Sequence, residues 1–257
     1  MKILSKEKNR LNLIVREIDI IATSKHPNIV TYIESFNVKD ELWVVMEFMD
    51  RGSLYDLVKL WNYGCVLTES QIAYCILNVL QAVQFLHSRN RIHRDIKVDN
   101  ILLTTAGDVK LADFGTAVQL TFQRLRRNTV AGTPYYMAPE LIQRLPYKHS
   151  VDIWSLGITI MELVNGKPPY YELEPREAVT AIVANGVRGL RSSHLSPEIK
   201  DFVNFQCLVN YPDNRASATQ LLTHPFINKA TTKAEFSNFL IQTYKNYKTQ
   251  SNGCNIL

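Results

Sequence analysis

Apolar residues recur at helical spacing along residues 11–22, where Leu11, Ile14, Val15, Ile18 and Ile21 form one stripe. Glu17 lies on that stripe, three residues after Ile14 and four before Ile21, so its carboxylate needs a partner. His26-Pro27-Asn28 ends the helix, because proline disfavours helical geometry in the residue before it. Ile29 to Phe36 and Leu42 to Phe48 then read as β-strands joined by a turn around Lys39-Asp40. A short polar piece, Met49 to Ser53, separates these from a mostly helical remainder. Thr68 with Gln71 has the form of a capping box, and Ile72, Ile76, Val79, Leu80, Val83 and Leu86 follow at helical spacing. Ile101-Leu102-Leu103 and Val109-Lys110-Leu111 flank Thr105-Ala106-Gly107-Asp108 and predict a small hairpin. Residues 151–164 and 197–210 predict further helices. Strands first and helices later indicate an α+β fold of two lobes, hinged near residues 47–52.

Composition changes this picture little. Hydrophobic residues are 46% and charged residues 21% of 257, ordinary for a folded chain. The net charge of +5 comes from basic residues scattered among acidic ones, so no nucleic-acid partner is expected. The four cysteines form no CxxC pair, which points to a reducing, cytoplasmic setting rather than a disulfide framework. No apolar run reaches the roughly 18 residues of a membrane span.

The strongest chemical signal is His93-Arg94-Asp95-Ile96-Lys97-Val98-Asp99-Asn100, which matches the protein-kinase pattern H-R-D-x-x-x-x-N at every fixed position. Asp113-Phe114-Gly115 and Ala138-Pro139-Glu140 follow in the order that pattern requires. Each triplet is weak alone; their order and spacing together are specific. Phosphoryl transfer explains the residue types. A triphosphate needs a hard cation such as Mg²⁺, and Asp113 and Asn100 offer a carboxylate and an amide oxygen. Asp95 would accept or orient the proton of the attacking hydroxyl, and Lys97 would stabilise the transferring group. A lysine at that position is typical of serine/threonine kinases.

Over residues 2 to about 228 the chain resembles the sterile-twenty/PAK group of kinases. The stretches Asp40 to Phe48, Gly52-Ser53-Leu54, Gly132 to Glu140, Val151 to Gly157 and Gly166 to Tyr170 carry the resemblance. It implies a bilobal kinase-like fold with an incomplete N-terminal β-sheet lobe (1–48), a mainly helical C-terminal lobe (49–228) and a basic tail (229–257). It implies ATP and Mg²⁺ as cofactors and serine or threonine residues of proteins as substrates. Met46 would be the gatekeeper, with the backbone of Glu47 and Met49 holding adenine. Thr133 would help to dock the substrate hydroxyl beside Asp95. Arg215 would pair with Glu140 and Asp152 would hold the catalytic loop, both structural roles. Lys2, 15 residues before Glu17, fits the lysine that contacts the α- and β-phosphates and pairs with a helix glutamate; the other reading is an exposed terminal lysine.

The departure from the group is the glycine-rich loop, since no G-x-G-x-x-G occurs in the sequence. Its lack is expected to weaken phosphate alignment. A catalytically impaired scaffold is therefore the rival reading. Thr129 is expected to be phosphorylated by an upstream kinase and to pair with Arg94, near Arg124, Arg126 and Arg127. A segment binding a small GTPase would belong to regions outside this chain. The ending Cys254-Asn255-Ile256-Leu257 has the form of a prenylation signal, with lysines nearby to favour a membrane surface, set against an ordinary tail.

Overall fold

The computed structural model describes residues 1–5, 11–63, 65–120 and 129–253. Strand β1 (Lys2–Ser5) and helix α1 (Leu11–Ala22) come first, followed by β2 (Tyr32–Val38) and β3 (Glu41–Met46). The three strands pair antiparallel in the order β1-β3-β2, with Lys2 opposite Val44. Along α1, Ile14 and Ile21 are buried as the stripe predicts, but Val15 is 63% exposed and Ile20 takes the inner position instead.

The expected strand from Ile29 begins only at Tyr32. Ile29 and Val30 are extended, but they pair elsewhere. Val30 N donates to Leu111 O, and Leu111 N donates to Asn28 O, which ties the chain after α1 to the helical part. Extended, buried residues look alike in sequence whichever sheet receives them.

The helical part contains α2 (Leu54–Lys59), α3 (Glu69–Ser88), β4 (Arg91–Ile92), β5 (Ile101–Leu103), β6 (Val109–Leu111) and β7 (Val118–Gln119). Further on lie α4 (Pro139–Ile142), α5 (Ser150–Asn165), α6 (Pro175–Asn185), α7 (Pro197–Asp201), α8 (Ala218–Leu221) and α9 (Lys233–Gly253). The predicted capping box starts α3, and β5 and β6 form the predicted hairpin. Helix α5 is buried on nearly all sides, and with the buried face of α3 it forms the centre of the core. Fully buried Trp154, Leu156 and Ile160 each contribute on the order of 1.5–3 kcal/mol from burial.

The predicted helix 197–210 is helical over 197–207 but changes type along its length. After α7 the chain widens into a π-helix over Phe202–Cys207. This seats Cys207 and Leu208 against Gly157 of α5, where a Cβ would stand 2.8 Å from the Cβ of Cys207. Among the described residues no helix is long and apolar enough to cross a membrane.

Candidate active site

The loop from His93 to Asn100 joins β4 to β5, and Ile92, Ile96 and Val98 anchor it by full burial. Its backbone is held from α5. Asp152 is completely buried, and it accepts from His93 N at 3.0 Å and Arg94 N at 2.8 Å. Burial alone would raise the Asp152 pKa, but the bond to His87 and these N–H groups hold it below the usual carboxylate range.

Four polar side chains converge in this loop. Asp95 Oδ1 accepts from Thr133 Oγ1 at 2.7 Å and from Thr133 N at 3.0 Å. Lys97 Nζ donates to Thr133 Oγ1 at 2.8 Å and lies 3.6 Å from Asp95 Oδ2. Asn100 Nδ2 donates to both the backbone O and Oδ2 of Asp95, at 2.8 and 2.9 Å. This leaves Asn100 Oδ1 for a ligand. Thr133 can come this close because Gly132 precedes it. At φ +117° a Cβ on residue 132 would lie 2.4 Å from Arg94 O.

Asp113 follows β6 with a left-handed backbone, φ +61°. Phe114 beside it packs edge-on against His93, ring centroids 5.0 Å apart. Lys2 Nζ bridges Glu17 Oε1 at 2.6 Å and Asp113 Oδ1 at 2.8 Å. Burial by itself would lower the Lys2 pKa; the Asp113 and Glu17 carboxylates outweigh it and hold it above the ordinary lysine value. Burial likewise pushes Asp113 up, and the Lys2 ammonium more than reverses this. Glu17 thus finds the partner that its place on an apolar face demands. Gly115 lies close beside this pair, and a Cβ there would stand 3.3 Å from Asp113 Oδ1 and Glu17 Oε2.

A cleft of about 200 Å³ is lined by Lys2, Glu17, Val44, Met46, Asn100 and Asp113, among others. The Glu47 carboxylate turns from it to Lys110 and to Thr31 N, at 2.7 and 2.6 Å, and Met49 packs against Val30 and Ala112. What these two residues can offer a ligand is backbone. Among the described residues no group of three or more His, Cys, Asp or Glu side chains is arranged for a metal. Asp113 and Asn100 fit Mg²⁺ in the usual manner, where one or two protein oxygens are completed by phosphates.

Another cavity, of about 980 Å³, shares none of these residues and lies among His26, Phe85, His149 and Pro212. It is an open groove, and one of its lining groups is His149. Burial and the neighbouring His87 ring, 4.6 Å away, push the His149 pKa down to about 4. Between that value and the ordinary 6.5 the unfolded chain binds a proton that the folded chain does not, so stability falls as pH drops through this window. His149→Gln should flatten that limb in urea titrations between pH 4 and pH 6.5; an unchanged slope would rule His149 out as its source.

Arg94 connects the loop to the segment beyond Asp113. Its Nε donates to Thr116 O at 2.6 Å, and its Nη1 donates to Thr129 Oγ1 at 2.9 Å and to the Tyr147 hydroxyl at 2.8 Å. Arg124, Arg126, Arg127 and, at the far end, Cys254 lie outside the described residues. Deeper in the helical part, Arg215 meets Glu140 at 2.8 Å with both side chains buried. Sequence reasoning missed His87, Tyr147 and the Tyr136–Glu162 hydrogen bond under the 133–136 turn. Burial raises Glu162 to about 7 despite that bond. A polar residue inside an apolar helical run was the available signal for Glu162 and His87.

The description "protein kinase domain" matches residues 1–227 of the chain. The chain belongs to that family. This kinase domain is 49% identical over 236 residues to the serine/threonine-protein kinase pakC of Dictyostelium discoideum, covering 91% of the chain and 49% of that relative. It is 47% identical over 218 residues to the serine/threonine-protein kinase STE20 of Saccharomyces cerevisiae, covering 84% of the chain and 23% of the relative. With pakB of Dictyostelium discoideum the identity is 47% over 221 residues, 86% of the chain and 26% of the relative. The kinase domain thus spans about half or less of these relatives, which are serine/threonine kinases of the STE20 and PAK type.

Proposed function

We propose that this kinase domain transfers the ATP γ-phosphate to serine or threonine hydroxyls of proteins. The observation that carries the reading is the convergence of Asp95, Lys97, Asn100 and Thr133 next to the Lys2–Asp113 pair. Asp95 Oδ1 already accepts from an alcohol, that of Thr133, at 2.7 Å, which is the task it would perform on a substrate hydroxyl. Lys97 brings positive charge to the same point. Lys2, fixed by Glu17, would hold phosphate oxygens, and Asp113 and Asn100 would hold Mg²⁺. The bound metal would supply neutralisation of the triphosphate charge. Met46 and the backbone of Glu47 and Met49 would bound the adenine end.

The test is transfer of labelled phosphate from ATP to a generic protein substrate, with the metal present or chelated. Transfer that needs Mg²⁺ is expected. The rival reading is a catalytically impaired scaffold. A folded chain that transfers nothing would decide for it.

Thr129 is the regulatory position in this reading. Its hydroxyl accepts one bond from Arg94; a phosphate there would offer three charged oxygens to the same guanidinium and order the segment. After incubation with an activating kinase, Thr129→Ala should be less active than the unaltered chain by about 5- to 150-fold, a coupling of about 1–3 kcal/mol. Undiminished activity would remove Thr129 from this role.

A further inference from the structure

The segment after β3 is fastened at several points. Glu47 N donates to Thr31 O, and Arg51 N donates to Leu103 O at 3.1 Å. The Asp50 carboxylate accepts from Thr105 N at 2.7 Å and from the Thr105 hydroxyl. One attachment comes from far along the chain. The Tyr244 hydroxyl of α9 donates to Arg51 O at 3.0 Å, and the Arg51 guanidinium lies over the Tyr244 ring, 4.9 Å from its centroid. Burial raises the Tyr244 pKa, so its hydroxyl remains a donor.

The same helix grips the β5–β6 turn that fastens Asp50. Ser237 Oγ donates to Thr105 O at 2.6 Å, and Lys233 pairs with Asp108. Gly107 allows the approach, because a Cβ there would lie 2.7 Å from Lys233 O. Phe236 and Leu240, both fully buried, seat α9 in the core, with Phe236 against Tyr74. Helix α9, the turn at Thr105 and residues 50–51 therefore form one block.

We infer that Tyr244 is a positioning residue for nucleotide binding, acting through Arg51 to fix the backbone that holds adenine. This rests on the reading of Glu47 and Met49 as the adenine-holding residues. Met49 stands two residues before Arg51, with its side chain buried, so a displacement of Arg51 O is passed to the Met49 peptide groups with little slack. Bonds to backbone groups have narrow geometry, and a segment fixed beforehand loses less entropy when it binds.

The experiment is calorimetric binding of adenosine, which has no phosphates and so is independent of Mg²⁺, Asp113 and Lys2. It is made on the unaltered chain, Tyr244→Phe and Tyr244→Ala, with melting temperatures recorded. Tyr244→Phe keeps the ring over Arg51 and should fold. It should weaken adenosine binding about three- to tenfold, the loss of one hydrogen bond, and Tyr244→Ala should weaken it further. The KM for ATP should rise in the same order while kcat at saturating ATP and the KM for a peptide stay level. Equal adenosine affinity in all three chains overturns the inference, whatever the melting temperatures, since a purely structural role would lower stability alone. Failure of the unaltered chain to bind adenosine overturns the adenine reading itself, and this inference with it.

Discussion

An Asp95→Asn chain should fold normally and transfer phosphate about 10²–10⁴-fold more slowly than the unaltered chain, the range for losing a positioned proton acceptor. The substitution is nearly isosteric. The amide oxygen of the variant would still accept from Thr133, so the 133–136 turn should stay in place. The conflict arises on the other side. Asp95 Oδ2 now receives Asn100 Nδ2 at 2.9 Å and faces Lys97 Nζ at 3.6 Å. An amide NH₂ there would set donor against donor, at a cost of about 1–3 kcal/mol. A thermal melt beside a labelled-phosphate assay separates the two effects. A modest loss of melting temperature with near-complete loss of transfer is expected. Transfer within about twofold of normal would mean that Asp95 is not the group that accepts the proton.

Arg215→Ala should damage the fold severely, costing about 3–5 kcal/mol, because it leaves a buried carboxylate without its cation. Arg215 and Glu140 have side-chain exposures of 0% and 4%. The guanidinium also donates to Ser150 O at 2.7 Å and to Val209 O at 2.9 Å, and lies over Trp154. It therefore fastens α4, the start of α5 and the segment after the π-helix to one another. Lysine cannot replace the fork geometry, so Arg215→Lys should recover little. Urea denaturation is the measurement, read as a lower midpoint at unchanged slope. Removing the charge as well, with Glu140→Gln and Arg215→Met together, should cost less than the sum of the two single changes. A loss below about 1 kcal/mol for Arg215→Ala would show that Glu140 escapes to water or takes up a proton.

What the sequence made legible was local or fixed by spacing. The capping box at Thr68, the hairpin around Gly107 and the stripe through Ile14 and Ile21 are written within one or two turns of chain. The motif loop was legible for another reason, since its chemistry tolerates few residue types. Where reading failed, a distant partner decided the outcome. Ile29 and Val30 carry strand-like side chains, but Leu111 takes their pairing. Val15 belongs to the stripe by spacing and stays exposed, while Ile20 turns inward. Nothing near Phe202 announces the π-helix, at whose end Cys207 and Leu208 lie against Gly157. Lys2 has two readings in sequence, and only the folded chain brings its ammonium between Glu17 and Asp113. Tyr244 and His87 carry no motif, and their contacts exist only after the helices have packed.

The anchoring of the 93–100 loop by Asp152 also has a temporal meaning. His93 and Arg94 find their acceptor 59 and 58 residues further along the chain. During synthesis the loop leaves the ribosome well before its anchor, and at about 5–20 residues per second that interval lasts seconds. Over that time the nascent chain carries its reactive groups without the carboxylate that shapes them. The backbone shape of this loop is thus completed only once α5 has emerged and docked.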